Sequence, residues 1–346
     1  MNNFTKTDKT PYKNETAYKV TTIIVPVLAV ILIFLLIWYS RGSMQIKEPR
    51  TITLYCFSAM ESVMEQSIIP AFQQRWLKKH QERVEFITTF AGSGVITRQI
   101  MTRFPAEVAI LSSELDARRL VSEGILSAAS WQDLQKKEKF CESPIVLFAR
   151  NSMPQTLTSF EELNPDTLDV IIPDPLTSGE GQMAVLAIYG SQLMLGTQED
   201  AALAYVKSWL AKTRHHPSTS QDAMEQFHAG MGDVLFHFEA ARDQHVDASP
   251  IRVIYPRRTM MTEPVAVAVQ KNITANQAEI VDAFLAFLWS EQAQNLLIKH
   301  GFRSQILPAS GEDESGQTDS FFTMDSLGSA SDLIRNIIDP LLAREN

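Results

Sequence analysis

At three places in this chain, a run of β-type residues ends beside a serine and a helical pattern begins. The three serines are Ser58 after residues 51–57, Ser93 after residues 84–90 and Ser178 after residues 168–172. Strands that alternate with helices over 346 residues indicate an α/β fold with a largely parallel sheet and room for two lobes. A helix N-terminus offers unsatisfied N–H groups and a partial positive charge, which favour anions. The three turns together therefore predict an oxyanion site that needs no lysine or arginine.

Composition and charge argue against several classes of function. The formal net charge is −9, and no basic stripe could neutralise phosphates, which argues against a nucleic-acid partner. The 7 histidines form no HExxH motif, so we expect solvated loop histidines, no metal site and no cofactor. The sequence has no Gly-x-Ser-x-Gly elbow, so we expect no catalytic residues and no enzyme activity. Cys56 and Cys141 are either two buried thiols or a pair that an oxidising compartment would join.

The N-terminal region contains one long apolar segment. Residues 20–39 carry no charge and, at about 1.5 Å per helical residue, are long enough to span a bilayer core. A cleaved signal peptide is the alternative, but its apolar region would be shorter, and no A-x-A cleavage pattern follows here. Basic residues before the segment slightly outnumber those after it, which favours a cytoplasmic N-terminus. We therefore expect a single-pass anchor in the inner or cytoplasmic membrane, with the soluble domain on the periplasmic or extracellular side.

The rest of the pattern divides into a tail, a tether and two lobes. Residues 1–19 are polar and are expected to form a cytoplasmic or disordered tail, and residues 40–50 a tether. Strands near 145 and 265 interrupt two α/β series, so two strands are expected to cross between the lobes. The expected segments are 51–143 plus 264–310 for the first lobe, 144–263 for the second lobe, and 311–346 for an acidic loop and C-terminal helix.

A purely structural interpretation of the serine turns stays open at this point. Ser58 to Glu61 and Thr177 to Glu180 both match the S/T-x-x-E capping box. In such a box the serine or threonine contributes about 1 kcal/mol to stability without any further function. On this interpretation, the Glu180 side chain faces the Thr177 backbone.

Five segments, in one order along the chain, carry a resemblance to a known family. They are 90–94 (FAGSG), 173–179 (PDPLTSG), 232–239 (GDVLFHFE), 263–267 (EPVAV) and 322–328 (FTMDSLG). Together they resemble the sulfate-binding family of solute receptors for ABC importers, with molybdate-binding proteins as near relatives. The resemblance implies a two-lobed periplasmic-binding fold with two crossing strands that closes on a dehydrated oxyanion. It also implies ABC permease and ATPase subunits as partners.

The resemblance further implies which residues bind the anion. The six positions are Ser58, Ser93, Ser178, Gly179, Glu180 and Phe238. The serines of the second and third turns and Gly179 match ligand positions of the family. Ser58 suits the molybdate branch, because the sulfate branch has aspartate there. Phe238 stands where the family has a binding tryptophan, and Glu180 stands where it has a second glycine.

Glu180 leaves the identity of the anion open. If its side chain points inward, an ionised carboxylate would repel sulfate, whereas hydrogen phosphate would find an acceptor in it. The resemblance implies a membrane-anchored extracytoplasmic protein that captures a tetrahedral oxyanion, of the sulfate, thiosulfate or molybdate class, for an ABC importer. The alternative is a membrane-bound sensor or assembly protein that keeps the fold without tight sulfate binding.

Overall fold

The computed structural model describes residues 27–36, 47–127, 139–154, 156–244, 251–304, 306–307 and 320–343. The chain divides into two compact units, Met1–Glu48 and Pro49–Asn346. Within the first unit, residues 27–36 form a helix. No helix in the described part of the chain combines the length and the apolar character needed to cross a membrane. The predicted span at 20–39 lies partly outside the described residues, and the predicted tail at 1–19 lies wholly outside them.

The second unit is built from alternating strands and helices. The described strands are β1 (Lys47–Phe57), β2 (Glu82–Ala91), β3 (Val108–Leu111), β4 (Cys141–Arg150), β5 (Val170–Ile171), β6 (Val234–Phe238), β7 (Ile251–Ile254), β8 (Arg258–Thr262), β9 (Val265–Ala268), β10 (Arg303–Ser304) and β11 (Ser320–Phe322). The main helices are α1 (Ile69–His80), α2 (Ser93–Met101), α3 (Glu114–Ser122), α4 (Gly179–Met194), α5 (Glu199–Lys212), α6 (Ser220–His228), α7 (Ala275–Leu288), α8 (Glu291–Lys299) and α9, which has a π turn within residues 330–342. These elements confirm the α/β alternation expected from the sequence.

Two sheets form the centres of two lobes. The first has the order β2-β1-β3-β9, and the second has the order β11-β8-β4-β6-β5, with β7 and β10 also paired to β4. Parallel pairing joins β1 to β3, β5 to β6 and β8 to β11, whereas each described pairing of β4 is antiparallel. The expectation of a largely parallel sheet is therefore wrong for the second lobe. A parallel neighbour needs a crossover of roughly a dozen residues or more, usually helical, and the links between β6, β7 and β8 are short and, where the structure describes them, contain no α-helix.

The element bounds differ from the expected segments at three points, one of which is β10: it lies in the segment expected for the first lobe, 264–310, but pairs with β4 of the second sheet. β1 starts at Lys47, so part of the tether expected at 40–50 is a strand of the first sheet. β11 lies within the tail expected at 311–346 and pairs with β8 of the second sheet. The acidic loop expected in that tail lies, up to residue 319, outside the described residues. A terminal segment can join a sheet without a strong pattern of its own, because one short strand needs only a free edge.

The two cysteines are buried free thiols, Cys56 on β1 and Cys141 on β4. Burial is the main cause that raises the pKa of each thiol. Of the two alternatives that the sequence leaves open, two buried thiols or a disulfide, the structure agrees with two buried thiols. A thiol of this kind behaves as a small apolar side chain rather than as a nucleophile.

Apolar periodicity over residues 280–297 predicts one long amphipathic helix, but the structure has two helices there, α7 and α8. The break lies at Ser290, which is the N-cap of α8 and whose Oγ accepts the Ala293 N–H at 3.3 Å. The same hydroxyl donates to the Phe287 carbonyl oxygen at 2.7 Å. Apolar periodicity continues across the break, so spacing alone does not reveal it, although a serine inside a helical pattern is a possible start signal.

We expect Ser290→Ala to lower the free energy of unfolding by about 1 kcal/mol, because the first turn of α8 loses its capping acceptor. Ser331→Ala is the matched control, since Ser331 is an exposed residue of α9, and it should change stability by less than about 0.5 kcal/mol. Urea unfolding followed by circular dichroism measures both. Equal midpoints for the two variants would contradict the capping role of Ser290.

Candidate anion-binding site

The N-terminus of α2 in the first lobe lies directly against the turn that precedes α4 in the second lobe. A Cβ atom on Gly92 would lie 2.3 Å from the Thr177 carbonyl oxygen. A Cβ atom on Gly179 would lie 1.7 Å from Ser112 Oγ and 2.9 Å from Ser93 Cβ. Only glycine fits such close approaches without a shift of its neighbours. The second and third serine turns therefore meet between the two lobes.

Ser93 is buried, and its hydroxyl is engaged within the first lobe. Its Oγ donates to Asp116 Oδ2 at 2.5 Å and accepts the Ser112 N–H at 3.1 Å. Arg119 Nη1 donates to Asp116 Oδ1 at 3.1 Å and, on α4 of the other lobe, to Gln182 Oε1 at 3.2 Å. The hydroxyl proton of Ser93 is thus directed at a carboxylate. For Ser93 to donate to an anion as predicted, its hydroxyl would have to rotate away from Asp116. Alternatively, Ser93 could donate its backbone N–H.

Backbone N–H groups at two helix ends provide neutral donors at this contact. Among the described residues, the N–H groups of Ser93, Gly94, Gly179 and Glu180 have no hydrogen-bond acceptor. They belong to the first turns of α2 and α4, where the helix carries partial positive charge. Ser178 is the N-cap of α4, and its Oγ accepts a first-turn N–H at 3.4 Å. The Ser178 hydroxyl proton is therefore still available to a ligand.

Glu180 points inward, and its interpretation as part of a capping box is wrong. The residue is 1% exposed, and its Oε1 accepts the Phe238 N–H at 2.6 Å. The same oxygen lies 2.9 Å from His237 Nδ1. The Thr177 N–H already donates within its own turn, whereas the buried N–H at the end of β6 needs an acceptor. The carboxylate of Glu180 therefore serves the neighbouring strand, and Ser178 caps the helix.

Ser58 lines a cavity between the lobes whose lining does not include Ser93 or Ser178. The short 3-10 helix that starts at Ser58 has Phe57 at its N-cap and no side-chain cap. The capping box predicted for Ser58 to Glu61 is therefore also absent. The cavity has a volume of about 310 Å³, and its lining includes Ser58, His237 and Phe238. The ring of Phe238 packs edge-on against Phe57, with ring centroids 6.1 Å apart. Phe238 thus lines the cavity beside Ser58, while its backbone N–H donates to Glu180 at the N-terminus of α4.

The cavity beside Ser58 is lined in part by acidic side chains, which makes it unfavourable for an anion. Its lining includes three glutamates, Glu61, Glu65 and Glu225. Burial raises the pKa of the Glu61 carboxyl, and the charge of Glu65 raises it further. A negative charge held against negative side chains is repelled, so the N-termini of α2 and α4 are the better place for an oxyanion.

Sequence reasoning missed four polar residues at the contact. They are Ser112, Ser113, Asp116 and His237. Ser112 and Ser113 follow β3 and precede α3, which is the same strand–serine–helix pattern as in the three predicted turns, so the signal was present. Both are buried, and their Oγ atoms have no partner within the described residues. The expectation that His237 is a solvated loop histidine is wrong, because it is 4% exposed on β6.

The donor set is suited to a fully dehydrated anion held by neutral groups. Hydrogen bonds from N–H and O–H groups to an ionised acceptor are roughly twice as strong as those between neutral partners. The buried carboxylate of Glu180 opposes this, since two unit charges about 4 Å apart repel by about 4 kcal/mol at an effective dielectric constant of about 20. No group of three metal-ligating side chains occurs among the described residues.

Comparisons of the sequence with known proteins point to one family. The family model of the bacterial extracellular solute-binding proteins matches residues 52–303. A sulfate-binding protein of Synechococcus elongatus is 24% identical over 265 residues, which cover 75% of this chain and 74% of that protein. A thiosulfate-binding protein of Escherichia coli is 25% identical over 277 residues, which cover 77% of this chain and 82% of that protein.

Solved structures show the same fold. The sulfate-binding protein SubI from Mycobacterium tuberculosis superposes with a TM-score of 0.72 at 25% identity, over 83% of this chain and 98% of that one. A periplasmic thiamin binding protein superposes with a TM-score of 0.61 at 15% identity, over 85% of this chain and 98% of that one, which shows the fold alone. The two lobes are therefore those of a periplasmic-binding protein. The chain belongs to the bacterial extracellular solute-binding proteins, in the family that includes the sulfate- and thiosulfate-binding proteins.

Proposed function

We propose that this protein captures a tetrahedral oxyanion outside the cytoplasm and passes it to the permease and ATPase subunits of an ABC importer. The observation that carries the proposal is the meeting of the α2 and α4 N-termini, each with N–H groups that lack an acceptor among the described residues. Sulfate and thiosulfate are the first candidates, because curated relatives carry those names. Molybdate is the next candidate, because Ser58 suits that branch of the family.

The proposed ligand contacts follow from the positions of the donors. Gly179 would donate its N–H from α4, and Ser178 its free hydroxyl proton. Ser93 would donate its N–H from α2 on the opposite lobe, so that one anion holds both lobes together. Phe238 would close the site with its ring, and Ser58, which follows β1 as Ser112 follows the paired strand β3, would add a further hydroxyl.

Calorimetric titration of the purified chain with sulfate, thiosulfate, molybdate, tungstate and phosphate tests the proposal. We expect at least one of these anions to bind with 1:1 stoichiometry. At a concentration about 100 times its dissociation constant, that anion should stabilise the fold by about 2.7 kcal/mol in a thermal unfolding experiment. Chloride and acetate at the same ionic strength are the controls for non-specific salt effects. Absence of binding by all five anions would contradict the proposal.

A second candidate function is a sensor or assembly protein that keeps the fold without tight sulfate binding. The observation that favours it is the carboxylate of Glu180, which is buried beside the proposed donors and takes the Phe238 N–H. On this alternative the internal carboxylate replaces the external anion. Unchanged unfolding temperatures with every oxyanion would support it.

We also propose that residues 20–39 anchor the protein as a single span, with the binding domain on the outer side. The support is the charge-free apolar composition of this segment and the start of β1 only a few residues beyond it, at Lys47. Alkaline carbonate extraction of membranes tests the proposal: the full chain should stay in the pellet, and a variant without residues 1–39 should not. Release of the full chain into the supernatant would contradict it.

A further inference from the structure

The Glu180 carboxylate has one oxygen engaged and the other without a partner. Oε1 accepts the Phe238 N–H, whereas Oε2 is buried and has no hydrogen-bond partner among the described residues. The side chain itself is 0% exposed. A buried carboxylate oxygen that accepts no hydrogen bond is costly, so such an atom indicates a missing donor.

Two hydroxyls in the same contact share this property. Ser112 Oγ would lie 1.7 Å from a Cβ atom on Gly179, the residue that precedes Glu180, and Ser113 is its neighbour on the chain. Neither Oγ has a hydrogen-bond partner in the described part of the chain, and both residues are buried. The N-terminus of α4 is therefore surrounded by an acceptor that lacks a donor and by hydroxyls that can donate or accept.

Glu180 faces one titratable partner, His237, and the Phe238 N–H is shared between Glu180 Oε1 at 2.6 Å and His237 Nδ1 at 2.8 Å. His237 is the titratable side chain in contact with it, with Nδ1 at 2.9 Å from Oε1. Other ion pairs on the elements near α4 are Asp116 with Arg119, Lys139 with Glu263, Glu161 with Arg258, and Glu239 with Arg303. Arg119 also pairs with Asp339, and Lys139 also pairs with Asp325. Because Arg119 and Lys139 are each shared by two carboxylates, these groups add no net positive charge that would neutralise Glu180.

We propose that the site binds its oxyanion together with one hydrogen, which bridges Glu180 Oε2 and an oxygen of the ligand. This inference rests on the proposed function and specifies the ligand class further. A hydrogen-bearing oxyanion such as monohydrogen phosphate supplies the hydrogen itself and donates it to the carboxylate. A fully ionised oxyanion such as sulfate binds only when Glu180 takes up one proton from solvent, and the carboxyl group then donates to the sulfate oxygen.

The number of protons taken up on binding distinguishes the two ligand types. Sulfate plus the ionised protein takes up one proton on binding, and no covalent bond other than the new O–H bond is formed. Monohydrogen phosphate brings its own proton, so the complex forms without net uptake. By linkage, the sulfate dissociation constant should rise about tenfold per pH unit wherever Glu180 is ionised in the free protein. The dissociation constant of monohydrogen phosphate should change little over the same range.

Calorimetric titration at pH 8 in two buffers of different ionisation enthalpy, imidazole and Tris, counts the protons. For the full chain we expect about one proton taken up per sulfate and close to none per phosphate. In Glu180→Gln, sulfate should bind without proton uptake and with a dissociation constant that no longer depends on pH. Phosphate should lose at least tenfold in affinity in this variant, because the glutamine amide can turn a donor toward sulfate but offers no ionised acceptor.

His237→Gln separates the two titratable groups, because it leaves the Glu180 carboxylate in place. Persistent proton uptake in this variant supports Glu180 as the proton site, and uptake that disappears here but persists in Glu180→Gln overturns the inference.

Sulfate binding without proton uptake in the unmodified protein also overturns it, while the proposed function stands. Sulfate binding only in Glu180→Gln would overturn it as well, because Glu180 would then exclude anions. No binding of any oxyanion by either protein would instead refute the proposed function.

Discussion

Gly179→Ala is expected to weaken oxyanion binding by about 100-fold, because misplacement of binding groups by about 1 Å can have an effect of that size. The new Cβ atom would lie 1.7 Å from Ser112 Oγ and 2.9 Å from Ser93 Cβ, so the two lobes could not approach as they do here. Calorimetric titration with whichever anion binds the unmodified protein measures the loss. The secondary structure should remain, since alanine is favoured in a helix.

A second-site change provides the control for Gly179→Ala. Ser112→Gly removes both of the Ser112 atoms that the new Cβ would meet, at 1.7 and 2.7 Å. The double variant should therefore regain at least tenfold in affinity over Gly179→Ala alone, because couplings between residues in contact reach about 0.5–3 kcal/mol. If the single variant binds as well as the unmodified protein, α4 does not meet the first lobe in the ligand-bound state.

Asp116→Ala is expected to lower the free energy of unfolding by about 3 kcal/mol, as is typical when one partner of a buried ion pair is removed. Asp116 is 0% exposed, accepts from the Ser93 hydroxyl, and pairs with Arg119 at 3.1 Å. Its loss would leave the Ser93 hydroxyl without its acceptor at the centre of the lobe contact. Chemical denaturation monitored by tryptophan fluorescence measures the effect.

The matched control is Asp332→Ala on α9. Asp332 pairs with Arg335 at the same i,i+3 spacing, with an N–O distance of 2.5 Å, but both side chains are more than half exposed. An exposed pair contributes about 0.5 kcal/mol or less, and Asp332 also accepts the Ser329 hydroxyl at 2.6 Å, so this variant should lose less than about 1 kcal/mol. Equal losses of stability for the two aspartate variants would show that burial of Asp116 does not determine its contribution.

Much of the fold follows from local pattern. The strand predicted at 84–90 is β2, and the strand expected at 144–149 is β4, because alternation and β-branched residues act over a few neighbours. Strand direction in the second sheet and the break at Ser290 do not follow from the same pattern. Strand direction depends on partners distant in sequence, and the break at Ser290 depends on a single side-chain hydrogen bond.

The candidate site shows the same division between local and distant causes. Ser93 and Ser178 could be placed at helix starts from the strand–serine–helix pattern, and Ser112 carries the same pattern although it was missed. The orientation of Glu180 could not be predicted, since its motif predicts a local cap. The partner that it takes instead, the Phe238 N–H, is 58 residues away in sequence. Burial decides whether the Glu180 carboxylate accepts from a local or a distant donor, and the capping-box motif carries no information about burial.

The most direct test of the central claim is the position of a bound oxyanion. Selenate is a tetrahedral analogue of sulfate, and its selenium can be located by anomalous diffraction in crystals of the unlabelled protein grown at saturating selenate. We predict one anomalous peak between the N-termini of α2 and α4, within hydrogen-bond reach of Gly179 N and Ser178 Oγ. A peak in the cavity beside Ser58 alone, or no peak between the lobes, would contradict the account.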